Sequence, residues 1–276
     1  MESSLPNSLN RQGTTPPPMA FALDAYCDRI NYTGSRDPTL ATLRGLHFAH
    51  AHNVPFENLD IHLGQAISLQ PADLFTKIVT RKRGGYCYEV NSFFAMILRS
   101  FDFQVHGLLA RVLFSNSGVR PRSHQLLLVM VDKEPWIADV GFGGCCLREP
   151  LRLTPDVVSD QGPDSFRLKT DAGQSFILKA LLVGRWQDLY EFTLEPFDLV
   201  DYEPFNYWNS TSPHVRFTQQ KLCTIPTKEG RIVAVDMEFK IHSGENSQTI
   251  RAENQAEYLR LLREYFGLEI TGTFMK

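Results

Sequence analysis

The segment Arg83-Gly84-Gly85-Tyr86-Cys87-Tyr88-Glu89 places one cysteine behind two glycines and in front of an amphipathic run. After Cys87, apolar residues recur with the spacing of a helix that has one buried face: Val90, Phe93, Phe94, Ile97 and Leu98. Cys87 therefore falls in the first turn of a predicted helix, where unpaired backbone N–H groups and the helix dipole favour a thiolate over a thiol. Gly84 and Gly85 are expected to let the chain turn sharply just before it.

A thiolate nucleophile also needs a proton acceptor and a group that orients this acceptor. His124 begins an apolar run that predicts a buried strand, and Asp139 lies in the apolar run that follows. A two-residue loop centred on Lys133-Glu134 would pair Asp139 with Leu128, on the same face as His124 but about 13 Å away along the strand. Contact between His124 and Asp139 then requires a bulge, strong coiling or a shifted register.

Four blocks of the sequence, in their order and spacing, resemble those of the arylamine N-acetyltransferase family. They are Val54-Pro55-Phe56-Glu57-Asn58-Leu59; Arg83 to Glu89 with Asn91; His124 with its apolar strand; and Asp139-Val140-Gly141-Phe142-Gly143. A weaker fifth block runs from Asn206 to Pro213 and includes Phe217. The resemblance extends from about Phe21 to near the C-terminus.

The resemblance implies an α+β fold, a papain-like or transglutaminase-like Cys-His-Asp scaffold with a helical N-terminal domain, an antiparallel β-barrel and an α/β lid. It implies that Cys87, His124 and Asp139 are the catalytic residues. They would transfer an acetyl group from acetyl-CoA to the nitrogen of arylamines or arylhydrazines, by a ping-pong mechanism through an acetyl-Cys87 thioester. Acetyl-CoA would act as a cosubstrate, with no cofactor bound permanently.

The same resemblance assigns roles to residues around the implied triad. Phe142 is expected to line the acyl and acceptor pocket, and Ser123, Phe142 and Gly143 are the expected contacts to CoA. Glu57 and Arg83 are expected to form a buried ion pair that ties the helical region to the catalytic turn. The role of this pair would be structural.

Periodicity and composition divide the chain into four parts. We predict a disordered tail over residues 1–20, a helical domain over 21–102, a β-barrel domain over 103–203 and an α/β lid domain over 204–276. The helical domain carries Cys87, and the barrel domain carries His124 and Asp139. In the lid, the pattern predicts a strand over 232–239 and a helix from about Glu253 to Phe266.

Composition and charge exclude several classes of protein. With 276 residues, of which 43% are hydrophobic and 11% aromatic, the chain has the content of a globular protein. A net charge of −3 with dispersed basic residues indicates no nucleic-acid surface. No apolar run approaches the ~20 residues that span a bilayer, so we expect a cytoplasmic protein without a membrane partner. Nothing in the sequence indicates an oligomeric state or the physiological amine.

Cysteines and histidines outside the implied triad have simpler interpretations. The five cysteines form neither a disulfide framework nor a CxxC zinc motif, and we expect them to be reduced thiols: Cys27, Cys87, Cys145, Cys146 and Cys223. The cluster His47, His50 and His52 lacks a fourth ligand at a suitable spacing. No metal site is therefore predicted.

The residues alone leave two other classes of function open. The same Cys-His-Asp set could serve a thiol hydrolase, a transglutaminase-like enzyme or an amide synthase that closes an acyl chain on an amine. A hydrolase would release acetate whether or not an amine is present. A non-catalytic binding module could also keep the fold, although it would have no chemical need for all three side chains.

Overall fold

The computed structural model describes residues 20–114, 118–171 and 175–275. The predicted tail lies outside these residues except for Ala20, where the first helix begins. The helices are α1 (Ala20–Ile30), α2 (Leu40–Asn53), α3 (Leu59–His62), α4 (Pro71–Phe75), α5 (Cys87–Ser100), α6 (Glu203–Thr211), α7 (Arg216–Gln219) and α8 (Gln255–Phe266). Within the described ranges, none of the helices combines the length and apolar content needed to cross a bilayer.

The strands form two antiparallel sheets. They are β1 (Phe56–Glu57), β2 (Gln104–Val112), β3 (Arg122–Val131), β4 (Glu134–Ala138), β5 (Leu151–Arg152), β6 (Val158–Asp160), β7 (Ser165–Asp171), β8 (Ser175–Leu182), β9 (Arg185–Phe192), β10 (Leu222–Thr227), β11 (Gly230–Val235), β12 (Glu238–Ser243) and β13 (Asn246–Arg251). The larger sheet has the order β5-β4-β3-β2-β9-β8-β7-β6. After β5, Pro155 forms an isolated bridge with Leu168 of β7, so this sheet is nearly closed into a barrel. The α+β class is confirmed.

The β3–β4 hairpin differs from the predicted one in its turn. Asp132 and Lys133, with φ of 51° and 66°, occupy the two positive-φ positions of a tight hairpin turn, so the loop lies one residue earlier than predicted. Leu127 therefore pairs with Ala138, and the next position of this register sets Asp139 opposite Leu126. The pairing of Asp139 with Leu128 was wrong. The shifted register brings Asp139 two residues closer to His124.

The smaller sheet, in the order β1-β10-β11-β12-β13, joins a short strand of the N-terminal helical part to four strands of the C-terminal part. The strand predicted over 232–239 was wrong, because the chain turns at Asp236 (φ 51°) and the run divides between β11 and β12. Helix α8 begins at Gln255, since the Asn254 side chain accepts a hydrogen bond from Glu257 N (3.0 Å). It ends at Phe266, and Gly267 follows in the left-handed conformation that favours glycine.

Packing crosses the predicted domain boundaries. One apolar core joins residues of α1, α2 and α5 to strands β3 and β4, and another joins Leu59 of α3 to the C-terminal sheet and α8. Strand β1, from the helical part, pairs with β10. The division into domains at residues 103 and 204 stays a prediction.

A buried ionic network underlies the start of α5. Arg83 donates to Glu57 (2.7 Å) and to Asp60 (2.7 Å), as the sequence led us to expect for Glu57. Lys77 bridges Asp60 (2.7 Å) and Glu89 (2.6 Å). The second oxygen of Glu89 accepts from the backbone N–H of Tyr86 (3.0 Å), at the residue before the helix. The network therefore connects the approach to α5 with its first turn.

Three carboxylates share two cations in this network. Burial raises the pKa of Glu89 to about 7, although Lys77 opposes the shift. Burial also acts on Arg83 and Lys77, but the surrounding carboxylates outweigh it and raise the pKa of both cations. Lys77 and Arg83 therefore stay charged, and each forms ion pairs with two carboxylates.

Replacing Arg83 tests how much the fold depends on this network. In Arg83→Met the side chain stays unbranched but becomes shorter and uncharged, and Glu57 and Asp60 lose a buried partner. We expect the free energy of unfolding to fall by about 3–5 kcal/mol, because uncompensated buried charge is costly. Urea denaturation followed by circular dichroism measures this loss.

The matched control is Arg36→Met, which breaks the exposed ion pair between Arg36 and Asp24. Exposed pairs contribute about 0–1 kcal/mol, so this variant should unfold close to the wild-type midpoint. Equal losses in the two variants would show that the buried network contributes no more than a surface pair.

Candidate active site

Cys87 is the first residue of α5, and only 3% of it is exposed. Its sulfur lies 3.9 Å from the carbonyl oxygen of Ser123, on β3. The two preceding glycines do not act as predicted, because neither Gly84 nor Gly85 has a positive φ. Instead, a Cβ at Gly84 would lie 1.8 Å from the carbonyl oxygen of Pro55. The glycine thus allows close backbone contact rather than a sharp turn.

The structure brings His124 into contact with both predicted partners. Its Nε2 donates to Asp139 Oδ2 at 2.7 Å. The side chain of Cys87 also faces the ring, and this interaction helps to raise the pKa of His124. Because Nε2 is taken by Asp139, Nδ1 is the nitrogen that faces the sulfur. Cys87, His124 and Asp139 therefore form one connected set.

Asp139 has no exposed surface, and four groups donate to its carboxylate. Besides His124, Tyr190 OH donates to Oδ2 (2.9 Å), while Asn91 Nδ2 (3.0 Å) and Gly141 N (2.9 Å) donate to Oδ1. Burial alone would raise the pKa of this carboxyl, but His124 and the hydrogen bonds outweigh it and lower the pKa of Asp139. Asp139 is therefore a buried carboxylate anion.

The charge of Asp139 determines the protonation of His124. Burial disfavours the imidazolium, but the attraction of Asp139, their hydrogen bond and the contact with Cys87 outweigh it and raise the pKa of His124 to about 10. At neutral pH the ring is therefore protonated. A cationic ring thus lies beside the Cys87 sulfur.

The loop after β4 lies directly on the start of α5. A Cβ at Gly141 would stand 2.9 Å from Cys87 Cα and 2.8 Å from a methyl group of Val90. Only glycine fits this approach without displacing the helix. The backbone contact fixes the distance between the barrel and the nucleophile.

A cavity of about 930 Å³ opens at this set. It is lined by Cys87 and His124 together with the three residues predicted to contact CoA, Ser123, Phe142 and Gly143. Asp139 lies behind His124. The ring of Phe142 packs edge-on at 5.1 Å from the His124 ring, and further aromatic walls come from Phe56, Trp208 and Phe217. Contact of the three residues with CoA stays a prediction.

The cavity lining is basic. It includes Arg120, Arg216 and Arg231, whereas none of the described residues that line it is Asp or Glu. Arg231 pairs with Asp164 and donates to Gly144 O (2.6 Å). Within the described ranges, Arg120 and Arg216 form no ion pair. Their charges are available to an anionic ligand.

Sequence patterns missed several residues of the site. Tyr190 lies in the predicted β-barrel domain, and nothing in its spacing indicates a contact with Asp139. His47 accepts from the backbone N–H of Asp139 (3.1 Å), a contact that joins residues 92 positions apart. Cys145 also lines the cavity, with its sulfur 3.0 Å from Arg231.

The histidine cluster is divided by the structure. His50 contacts Tyr26 OH at 2.9 Å inside the helical core, and His52 stacks on Phe48. Among residues 20–114, 118–171 and 175–275, no group of three or more His, Cys, Asp or Glu side chains could hold a metal ion. All five cysteines are free thiols.

Comparisons with known proteins agree over most of the chain. Residues 39–275 match a family model described as N-acetyltransferase. The chain is 36% identical to an arylamine N-acetyltransferase of Escherichia coli strain K12, over 91% of this chain and 90% of that protein.

Two solved structures are also similar. One, an arylamine N-acetyltransferase from Salmonella typhimurium, has a TM-score of 0.87 at 34% identity, covering 92% of this chain and 93% of that chain. The other, from Mycobacterium marinum in complex with CoA, has a TM-score of 0.85 at 32% identity, covering 90% and 93%. The chain therefore belongs to the arylamine N-acetyltransferase family and is an acyltransferase.

Proposed function

We propose that this enzyme transfers an acetyl group from acetyl-CoA to the nitrogen of arylamines or arylhydrazines through an acetyl-Cys87 thioester. The observation that carries the proposal is the connected set of Asp139, His124 and Cys87 at the floor of a basic, aromatic cavity. Cys87 begins a helix, while His124 lies on β3 and Asp139 directly after β4 of an antiparallel sheet, which supports a papain-like arrangement of the triad. Cytoplasmic location stays a prediction.

In the first half-reaction, the Cys87 thiolate attacks the thioester carbonyl of acetyl-CoA. A C–S bond to Cys87 forms, the C–S bond to CoA breaks, and His124 gives its proton to the departing CoA thiolate. The His124 ring is then neutral. The acetyl group is held as a thioester in a cavity from which the aromatic side chains exclude much of the water.

In the second half-reaction, the nitrogen of the acceptor attacks the acetyl carbonyl. Neutral His124 takes the proton from nitrogen, a C–N bond forms, and the C–S bond to Cys87 breaks. The thiolate and imidazolium are restored. Asp139 stabilises the ring each time it becomes charged and keeps Nδ1 directed at the sulfur.

The cavity lining supports both substrates. CoA carries several phosphate charges, and a wall with three arginines and no described carboxylate favours such an anion. The aromatic side chains of Phe142, Phe56 and Phe217 offer surfaces on which an aryl ring can pack. The Mycobacterium marinum structure in complex with CoA supports the choice of donor.

Intact-protein mass spectrometry tests the thioester. After mixing with acetyl-CoA in the absence of amine, wild type should gain the mass of one acetyl group, and an aromatic amine should then discharge it with formation of the acetylated amine. Cys87→Ala should gain nothing, because it lacks the nucleophile.

Cys145→Ala is the matched control, since Cys145 lines the same cavity. It should be acetylated like wild type. An adduct that persists in Cys87→Ala, or that disappears in Cys145→Ala, would place the acetyl group elsewhere. Loss of the adduct to water at the same rate with and without amine would indicate a hydrolase instead.

Asp139→Asn tests the source of the imidazolium charge. Without the carboxylate, burial should dominate and lower the pKa of His124 from about 10. The ring would then be neutral at pH 7, so the pH midpoint of Cys87 alkylation by iodoacetamide should move upward. We also expect acetyl transfer to slow by about 10³- to 10⁴-fold, the scale for loss of a triad carboxylate.

Asp188→Asn, at the pair with Lys179 on the barrel surface, is the control and should leave the alkylation profile unchanged. A wild-type profile in Asp139→Asn would refute the role of this carboxylate. Peptide-level mass spectrometry separates Cys87 from the other four thiols.

The double variant Arg120→Ala with Arg216→Ala tests the basic rim. Loss of charged contacts to phosphate should lower the rate constant for acetylation of Cys87 by acetyl-CoA by at least about 10-fold, because a single hydrogen bond to a charged group contributes about 1.5 kcal/mol or more. Acetylation by p-nitrophenyl acetate, which has no phosphate, should change little.

Arg185→Ala, at the exposed start of β9 and outside the cavity lining, is the control for loss of an arginine elsewhere on the surface. An equal slowing with both donors would mean that the arginines act on the triad or the fold rather than on the phosphates of CoA.

A further inference from the structure

The backbone between β4 and the cavity is held by side chains. Three consecutive N–H groups donate to side-chain acceptors: Asp139 N to His47 Nε2 (3.1 Å), Val140 N to Asn91 Oδ1 (3.1 Å) and Gly141 N to Asp139 Oδ1 (2.9 Å). The strand pairing of β4 ends at Ala138. The position of Asp139 therefore depends on these acceptors rather than on the sheet.

The contacts of His47 determine which of its nitrogens carries the proton. His47 Nδ1 lies 3.2 Å from the carbonyl oxygen of Arg148, which can only accept, so Nδ1 carries the proton. The backbone N–H of Asp139 can only donate, so Nε2 must be the unprotonated nitrogen. Both contacts require the neutral ring. Burial lowers the pKa of His47 to about 4, which keeps the ring neutral across the physiological range.

We infer that His47 is a positioning residue for the transfer reaction: it holds the backbone of Asp139 so that the carboxylate meets His124 at hydrogen-bond distance. The inference rests on the proposed function, in which Asp139 supports the charge of His124. Nothing in the sequence motifs marks His47. It comes from α2, whereas the other two acceptors come from α5 and from the loop itself.

The second contact of His47, with the carbonyl oxygen of Arg148, connects the Asp139 loop to the C-terminal sheet. Arg148 donates to Asp164 (2.8 Å) and to the carbonyl oxygen of Thr227 (2.6 Å), at the end of β10. His47 thus lies between α2, the loop that carries Asp139 and a residue tied to the C-terminal sheet. Since His47, Asp139 and Arg148 are buried, a displaced loop cannot recover its hydrogen bonds from water.

Loss of the His47 acceptor should change the protonation of His124 rather than any contact with a substrate. The His47 side chain does not line the cavity, so it touches neither donor nor amine. If the Asp139 N–H loses its partner, the loop can shift, the 2.7 Å contact with His124 lengthens, and the imidazolium is less favoured. The Cys87 thiolate then forms only at higher pH. Other ionisable groups that face His47 are Arg148, His52 and His50.

The test compares two variants of similar size and polarity. His47→Gln can place its amide oxygen near the position of Nε2 and still accept from the Asp139 N–H. His47→Asn reaches only the position of Nδ1, so it can donate to Arg148 O but cannot reach Asp139. The rate of Cys87 alkylation by iodoacetamide is measured against pH by peptide mass spectrometry.

We expect His47→Asn to move the midpoint upward by about one pH unit, a tenfold loss of thiolate below the midpoint, and His47→Gln to remain near wild type. His50→Asn is the control, because His50 lies on the same helix, is equally buried and does not contact Asp139. It should lower thermal stability without moving the midpoint.

Equal midpoints in His47→Asn and His47→Gln, or an equal shift in His50→Asn, would overturn the inference. Failure of the proposed function would instead be seen in the pH profile of the wild-type protein. If wild-type Cys87 itself reacts with the pH profile of an ordinary thiol, the triad is not activated, and both the proposed function and the role of His47 fall.

Discussion

The carboxylate of Asp139 has no contact with water, and much of the structure around the site follows from the need to compensate its charge. Its donors come from separate parts of the chain: His124 on β3, Asn91 on α5, Tyr190 on β9 and Gly141 in its own loop. A buried carboxylate without these donors would be protonated or would unfold the site. The same contacts that stabilise the anion therefore assemble the helix, the barrel and the loop around Cys87.

A second set of buried charges holds the other side of the nucleophile. Glu89 and Asn91 follow Cys87 in the first turns of α5; Glu89 faces Lys77 and the ionic network, and Asn91 faces Asp139. The first turn of α5 is thus restrained from two directions. The network has one more carboxylate than cations, and burial raises the pKa of Glu89 to about 7. Restraint of the helix start matters, because attack on a carbonyl tolerates little displacement of the sulfur.

The sequence predicted elements that depend on neighbouring residues. It predicted less well the contacts between residues that are distant in the chain. The helix after Cys87, the strand after His124 and the C-terminal helix were all predictable from periodicity and caps. The register of the β3–β4 hairpin was not, because positive φ at Lys133 runs against the preference of a side chain with a Cβ. The contact between His124 and Asp139 thus needed the structure, which shows a shifted β3–β4 register and also an irregularity of the β2–β3 pairing beside His124.

Residues missed by sequence reasoning share one property: their partners are distant in the chain and their own surroundings are ordinary. From sequence, Tyr190 would be interpreted as an aromatic residue of a buried strand and His47 as a histidine of the core. Both residues are indeed buried. What distinguishes them is that each offers its polar atom to Asp139, one to the carboxylate and one to the backbone. Burial makes these contacts strong, since no water can replace them. The role of a buried polar residue outside the motifs is therefore best inferred from the group with which it forms a hydrogen bond.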